Sequence, residues 1–386
     1  MLNILERSIT PQILNNLVPN KVVVLLGPRR VGKTVLIKKI TRQLKEPFLL
    51  LNGENADTRK VLKQRSTQNY LQLLGNKRVL IIDEAQKIEE VGSILKLMID
   101  EIEGLKIVVT GSSAFDINQY TGEPLTGRKK TFFLYPFAEE ELGQVEDPVQ
   151  SIANLQHRLV YGNYPELLQI PEINDKADYL RELVDSYLLK DILAYDNIRN
   201  SDKIFDLLRL IAFQVGSEVS YTELGRQLSI SKNTVESYLD LLSKVFILHS
   251  VSAFSRNLRK EIAKGKKWYF NDNGIRNILV GNMNALPLRN DQGILWENYV
   301  ISERLKYQKY QRILSYNYFW RTYDQQEIDW IEEREGTLHG YEFKWNQKKK
   351  AKPPKAWLAA YNSTQFEIIN PENFLTWVAP DKFTKE

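Results

Sequence analysis

The 386-residue chain contains no cysteine. That excludes disulfides, thiolate metal sites and cysteine nucleophiles, and it fits a reducing compartment. No stretch approaches the roughly eighteen apolar residues of a membrane span. The opening residues MLNILERSIT lack the apolar segment of a signal peptide. A soluble cytoplasmic protein without membrane association is the expectation. Strong charge of one sign is also missing. Fifty-three Lys and Arg against 48 Asp and Glu leave a formal net charge of +5, so only the distribution of charge can speak about nucleic acid. What is plentiful is apolar surface, at 43% hydrophobic residues. The length allows about two to four domains with cores of their own.

Val22 to Thr34 read VVVLLGPRRVGKT. An apolar β-branched run feeds a Gly-x-x-x-x-Gly-Lys-Thr loop, and an amphipathic stretch from about Thr34 to Leu44 follows. This strand–loop–helix context is what a phosphate-binding P-loop needs. It predicts ATP and Mg²⁺ as cofactors. Gly27 and Gly32 lack Cβ atoms, so the backbone from Gly27 through Pro28, Arg29, Arg30, Val31 and Gly32 can wrap around phosphates with N–H groups inward. The following helix adds its positive dipole end. Lys33 should reach the β- and γ-phosphates, and Thr34 should place its hydroxyl on Mg²⁺.

Arg78–Gln86 reads RVLIIDEAQ. Its apolar run predicts a buried parallel strand with Asp83 at the C-terminal end, where ligands of open α/β sheets bind. Asp83 is expected to hold Mg²⁺ through water, and Glu84 to act as general base on the attacking water. The next strand, Lys106–Thr110, ends in Gly111-Ser112-Ser113. Ser112, or Thr110 in second place, is positioned to touch the γ-phosphate or the water; an N-cap role is the plain alternative. Arg128 precedes a strand over Thr131–Tyr135. It reads either as a charge stabiliser, for its own site or that of a neighbouring copy in a homo-oligomer, or as part of a solvated basic turn with Lys129 and Lys130.

Four segments follow from these patterns. Residues 1–140 alternate strand and helix and predict an α/β P-loop NTPase domain with a parallel sheet. Residues 141–215 are helical, broken at Gly162-Asn163-Tyr164-Pro165, and form a lid or connector. Tyr187, Lys190 and Asp191 lie there on helical spacing with no chemistry demanded of them. Residues 216–285 have helix-turn-helix spacing: Thr222–Leu228, a turn at Ser229-Ile230, then a helix capped by Ser231. Strands near Phe246–Ser250 and Trp268–Phe270 would make a wing, with Arg256, Arg259, Lys260, Lys264, Lys266 and Lys267 between or beside them. Those charges suit phosphates, and Ser231, Lys232, Asn233 and Thr234 suit a major groove, so double-stranded DNA is the expected partner. Packing against protein is the other reading of the same fold.

Residues 286–386 carry EIDW and YEFKW. Asp329 falls in one predicted strand, and Glu342 and Lys344 sit two apart in the next, on one face. Two carboxylates and a lysine so placed suit Mg²⁺ and an activated water for phosphodiester hydrolysis, with Glu297 on the preceding helix as a helper. Lys348, Lys349, Lys350, Lys352 and Lys355 read as a backbone clamp or a solvated loop. A charged strand face is the plain alternative for Glu-x-Lys.

In this order GPRRVGKT, LIIDEAQ, TGSSA, YGNYPELL, the helix-turn-helix and YFNDNGI resemble a group of prokaryotic AAA+-like ATPases with a C-terminal module of unassigned function. The resemblance implies that Lys33, Thr34, Asp83 and Glu84 bind and hydrolyse ATP. It also implies that the last hundred or so residues are similar to the PD-(D/E)xK nuclease fold, a small restriction-endonuclease-like α/β domain. Asp329, Glu342 and Lys344 match that pattern, although Ile328 stands where the pattern has proline. The resulting expectation is an ATP-driven protein acting on DNA. The rivals are a signalling ATPase with protein partners and an origin-recognition-like DNA clamp that does not cut.

Overall fold

A computed structural model describes residues 5–112, 125–188, 201–255, 265–322, 324–348, 351–361 and 364–383. Five strands build the first sheet: β1 (Lys21–Leu26), β2 (Phe48–Asn52), β3 (Val79–Asp83), β4 (Lys106–Gly111) and β5 (Lys129–Phe133). Their order is β2-β3-β4-β1-β5 and every pairing is parallel. Successive side chains of a strand point to opposite faces. Val23 and Leu25 of β1 therefore enter one core, and Val22, Val24 and Leu26 enter another. Both faces are covered, as continuous aliphatic runs require. In space β4 stands between the P-loop strand β1 and the Asp83 strand β3.

Local boundaries moved where side-chain needs overrode pattern. The stretch 60–74 is two helices, Ala56–Lys63 and Thr67–Leu74, separated by extended Ser66. The last strand of the sheet is Lys129–Phe133 rather than Thr131–Tyr135, because its pairing with β1 begins beside Val22. Gly162–Tyr164 interrupts the connector as expected, and a 3₁₀ turn, Pro165–Leu168, follows.

The second sheet has seven strands: β6 (Glu218–Val219), β7 (Leu248–Ala253), β8 (Lys266–Phe270), β9 (Tyr316–Arg321), β10 (Glu327–Arg334), β11 (Thr337–Phe343) and β12 (Thr364–Ile369). Their order is β12-β11-β10-β9-β7-β8-β6. Two β7–β9 pairs, Ser252 with Tyr318 and Ala253 with Phe319, join the hairpin that follows the helix-turn-helix to the C-terminal strands. One sheet thus runs through residue 286. The helix-turn-helix consists of Tyr221–Leu228 and Lys232–Lys244. A Cβ on Gly225 would stand 2.7 Å from the carbonyl of Ile230, so only glycine permits this close turn. Helix Gln292–Tyr310 packs against β8 and β11 and carries Glu297 near its start. No described helix is long and apolar enough to cross a membrane.

Candidate functional site

The loop after β1 ends in Gly32, whose φ of 93° is left-handed and favours glycine. Gly27 is glycine for another reason. A Cβ there would lie 2.2 Å from the carbonyl of Leu134, beyond β5. Tight packing under the loop demands it. Lys33 is buried, and its ammonium donates to the carbonyls of Gly27 at 2.8 Å and Pro28 at 2.9 Å. Arg29, Arg30, Gly32, Lys33, Thr34 and Glu84 line one open cavity of about 650 Å³. Arg30 also faces Glu166 across it, at 3.8 Å.

A hydrogen-bonded chain links the remaining residues. The Thr34 hydroxyl donates to Asp83 Oδ2 at 2.8 Å. The fully buried Thr110 hydroxyl donates to Asp83 Oδ1 and accepts the Glu84 N–H at 2.9 Å. Glu84 has φ 53° and ψ 44°, a left-handed conformation uncommon for a non-glycine residue. Its carboxylate accepts from Gln86 Nε2 at 2.6 Å, and the same nitrogen donates to Ser112 Oγ at 3.1 Å. The carbonyl of Glu84 presses on Gly53, where a Cβ would come within 2.3 Å. The hydrogen bond between Thr34 and Asp83 sets a hydroxyl and a carboxylate side by side, two hard oxygen donors of the kind that suit Mg²⁺.

Arg128 lies elsewhere. It directly precedes β5, its carbonyl accepts the N–H of Val22 at the start of β1, and its side chain pairs with Asp100 at 2.7 Å. In a parallel sheet the P-loop is at the other end of those strands. Five residues at about 3.3 Å each separate the two edges, so Arg128 does not act in its own site.

A second group of the expected residues does come together. In the β10–β11 register Trp330 faces Tyr341, which sets Asp329 opposite Glu342. Cross-strand Cβ atoms in such a pair are about 5 Å apart. Asp329 Oδ2 accepts the N–H of Phe343 at 2.8 Å. Lys344, just beyond β11, pairs with Glu342 at 2.5 Å. Glu297 accepts from the hydroxyl of Tyr269 at 2.8 Å. Burial first, and the neighbouring charge of Asp329 second, push the Glu297 carboxyl up to about 7. Burial also raises Asp329, and burial together with Asp329 raises Glu342. For Lys344 burial pulls down, but Glu342 and Asp329 outweigh it and hold the ammonium above its usual range. Among the described residues no group of three or more His, Cys, Asp or Glu is arranged to hold a metal ion. Glu297 therefore does not complete a three-carboxylate metal site.

Lys267 corrects the expectation of a basic wing. It is 2% exposed, ion-paired with Glu327, and 4.0 Å from Glu297. Its ammonium also lies 5.0 Å from the ring centre of Phe319. Strand alternation turns it inward, toward the C-terminal carboxylates, and makes it unavailable to a phosphate backbone. Lys266 faces outward and is exposed. Lys264, with Arg256, Arg259 and Lys260, lies outside the described residues, as do Lys349, Lys350, Lys190 and Asp191. Lys232 and Asn233 are exposed at the start of the second helix of the helix-turn-helix, where Ser231 accepts the N–H of Thr234 at 3.0 Å.

Sequence reasoning missed Gln86, although it stands two residues beyond Glu84 in DEAQ. It also missed Tyr269 and Glu327, which only the joined sheet brings to Glu297. Arg7 carried no signal at all, and it bonds the P-loop at the carbonyl of Val31.

Comparisons with known proteins bear on the N-terminal domain. Residues 19–143 match an AAA domain model. Residues 152–286 and 292–375 match two domains of unknown function, DUF8612 and DUF4143. An uncharacterised protein of Mycobacterium tuberculosis is 26% identical over 329 residues, covering 84% of this chain and 70% of that protein. One from Methanocaldococcus jannaschii is 25% identical over 260 residues, covering 62% and 58%. Among solved structures, a Walker-type ATPase of Pyrococcus abyssi aligns with TM-score 0.48 and 16% identity over 70% of this chain and 94% of that one. A variant of Thermotoga maritima RuvB aligns with TM-score 0.30 and 17% identity over 64% and 84%. By the domain match and its parallel sheet, the N-terminal part of the chain is an AAA-like P-loop domain on an α/β fold.

Proposed function

We propose that this protein binds ATP with Mg²⁺ and hydrolyses it at the P-loop. The observation that carries this is the continuous chain Thr34–Asp83–Thr110–Glu84–Gln86–Ser112 beside Lys33. Lys33 and the loop N–H groups hold the phosphates. Thr34 and Asp83 would hold the ion, which would supply positive charge to the phosphates. Glu84, fixed by Gln86, takes the proton from the attacking water. Ser112 positions Gln86, and Thr110 positions both Asp83 and Glu84. Lys33→Ala should abolish turnover and weaken nucleotide binding. Glu84→Gln should keep binding and lose turnover. Nucleotide titration and steady-state phosphate release decide, and parent-like turnover in either variant overturns the assignment of that residue.

The output proposed is double-stranded DNA, bound by a winged-helix unit through Lys232, Asn233 and Lys266 in a cytoplasmic protein. The exposed helix start and the outward-facing Lys266 support it. The measurement is duplex affinity across a salt series, which should fall with a log–log slope near the number of phosphates neutralised. Salt-independent or absent binding favours a protein partner instead. The facing Asp329 and Glu342 support a second reading, a nuclease-like site. There Asp329 and Glu342 would hold a divalent ion, which would supply an activated water. Lys344 would stabilise charge on the phosphate. Plasmid cutting with Mg²⁺ or Mn²⁺, lost in Asp329→Ala and Lys344→Ala, tests it. A role for Arg128 toward a neighbouring copy of the chain belongs with a homo-oligomer, and ultracentrifugation with and without ATP tests that.

A further inference from the structure

Arg7 is a buried guanidinium that the nucleotide chemistry above does not use. It precedes the first helix, Thr10–Asn16, and is 6% exposed. Its Nη1 donates to the carbonyl of Val31, inside the P-loop, at 3.0 Å. Its Nε donates to Glu141 Oε1 at 2.9 Å, and its Nη2 donates to the carbonyl of Tyr135. Nη2 also lies 3.5 Å from the hydroxyl of Tyr310, which itself accepts the N–H of Tyr135 at 3.2 Å. The guanidinium lies 4.5 Å from the ring centre of Phe137. Glu141 is fully buried and is held in turn by the N–H groups of Ser8 and Ala138, each at 3.0 Å. Every arm of the planar fork is therefore occupied, and its position is set from four directions.

The peptide between Val31 and Gly32 is a rigid plane, with its C=O and N–H pointing opposite ways. A guanidinium that anchors the Val31 carbonyl on one side aims the Gly32 N–H to the other. Gly32 is the left-handed residue that opens the P-loop helix, and it lines the cavity that also holds Lys33, Thr34 and Glu84. Arg7 and Val31 line a further cavity of about 290 Å³ that shares Gly32, Val35, Pro165 and Gln169 with the first. The anchor is thus at the nucleotide side of the domain. Its backing comes from Glu141 and from Tyr310, the last residue of helix Gln292–Tyr310.

We propose that Arg7 is a positioning residue of the nucleotide site, which fixes the Val31 carbonyl and so sets the anion-binding direction of the P-loop backbone. This rests on the ATP-binding reading. Lysine cannot replace it, because a point charge on a flexible stem lacks the fork that reaches Val31, Glu141 and Tyr135 together. Two variants separate positioning from stability. Arg7→Lys keeps the charge opposite Glu141 and loses the Val31 anchor. Glu141→Gln keeps an acceptor for Nε and loses the charge pair.

The experiment measures ATP affinity, KM, kcat and melting temperature for both variants, the parent and Lys33→Ala. Arg7→Lys should weaken ATP affinity about 10- to 100-fold, the equivalent of one charged hydrogen bond, with kcat near the parent's. Glu141→Gln should melt lower than the parent yet bind ATP within about threefold of it. If Arg7→Lys does not fold, Arg7→Met with Glu141→Gln removes both charges at once, an exchange that cores often tolerate, and the same affinity loss is expected. Parent-like affinity in either folded Arg7 variant overturns the proposal. So does an affinity loss that simply tracks melting temperature in both single variants. A parent that binds no ATP, indistinguishable from Lys33→Ala, would instead overturn the ATP reading itself.

Discussion

Replacing Thr110 by valine should uncouple Asp83, the proposed metal ligand, from Glu84, the proposed base. The two side chains have nearly the same shape, and both favour a strand, so β4 is not disturbed. What disappears is one hydroxyl that donates to Asp83 Oδ1 and accepts the N–H of Glu84. Thr110 is 0% exposed, so water cannot readily take over at its position. An unsatisfied buried N–H costs about 1–3 kcal/mol, and a lost bond to a carboxylate about 1.5–3 kcal/mol. The domain should therefore lose about 3–5 kcal/mol, read by denaturant unfolding. Glu84 also loses an anchor that helps hold its left-handed backbone. A general base contributes about 10²- to 10⁴-fold, and a misaimed one should lose about 10- to 100-fold in kcat. ATP affinity should change less, since Lys33 and the loop N–H groups are untouched. Thr110→Ser, which keeps the hydroxyl, should behave like the parent in phosphate release. A valine variant that unfolds within about 0.5 kcal/mol of the parent and turns over at its rate would refute the reasoning.

Lys267→Met should destabilise by about 3–5 kcal/mol, because it leaves Glu327 and Glu297 without their buried cation, whereas the exposed Lys266→Glu should leave stability unchanged and lower only duplex affinity. Denaturant unfolding and a salt titration of DNA binding check the pair. Glu297→Gln keeps an acceptor for Tyr269 and removes a carboxyl raised to about 7. In the parent the folded state holds that proton more tightly than the unfolded chain does. The stability it brings is present below about pH 4.5 and is lost as pH rises to about 7. The Gln variant should gain on the parent across that window, by up to about 3 kcal/mol. Melting curves that stay parallel from pH 4 to 8 would contradict it.

How much of this was legible in the chain depends on how local the cause is. The run VVVLL before GPRRVGKT and the run VLIID ending in Asp83 encode strand, loop and helix within a dozen residues. Alternation to two buried faces follows from the same letters. Gln86 was within reach, two positions past Glu84, but nothing in its type marks it as the residue that holds the Glu84 carboxylate. The wing shows the opposite case. Lys264, Lys266 and Lys267 look alike as letters, yet strand parity turns Lys266 to solvent and Lys267 into a nest of carboxylates. Parity could be counted only after the β8 register was known.

The sequence by itself determined the strand, loop and helix of the P-loop, because backbone conformation, glycine placement and the first contacts there are short-range. It also determined the order in which Asp329, Glu342 and Lys344 fall along successive strands. Only the tertiary structure decided which edge of the sheet Arg128 occupies, that β7 meets β9 and joins two segments in one sheet, and that Arg7 reaches Val31, Glu141 and Tyr310. Those contacts close loops of 24, 134 and 303 residues. No local propensity encodes such pairings. They arise when buried polar groups must find partners in a core assembled from the whole chain.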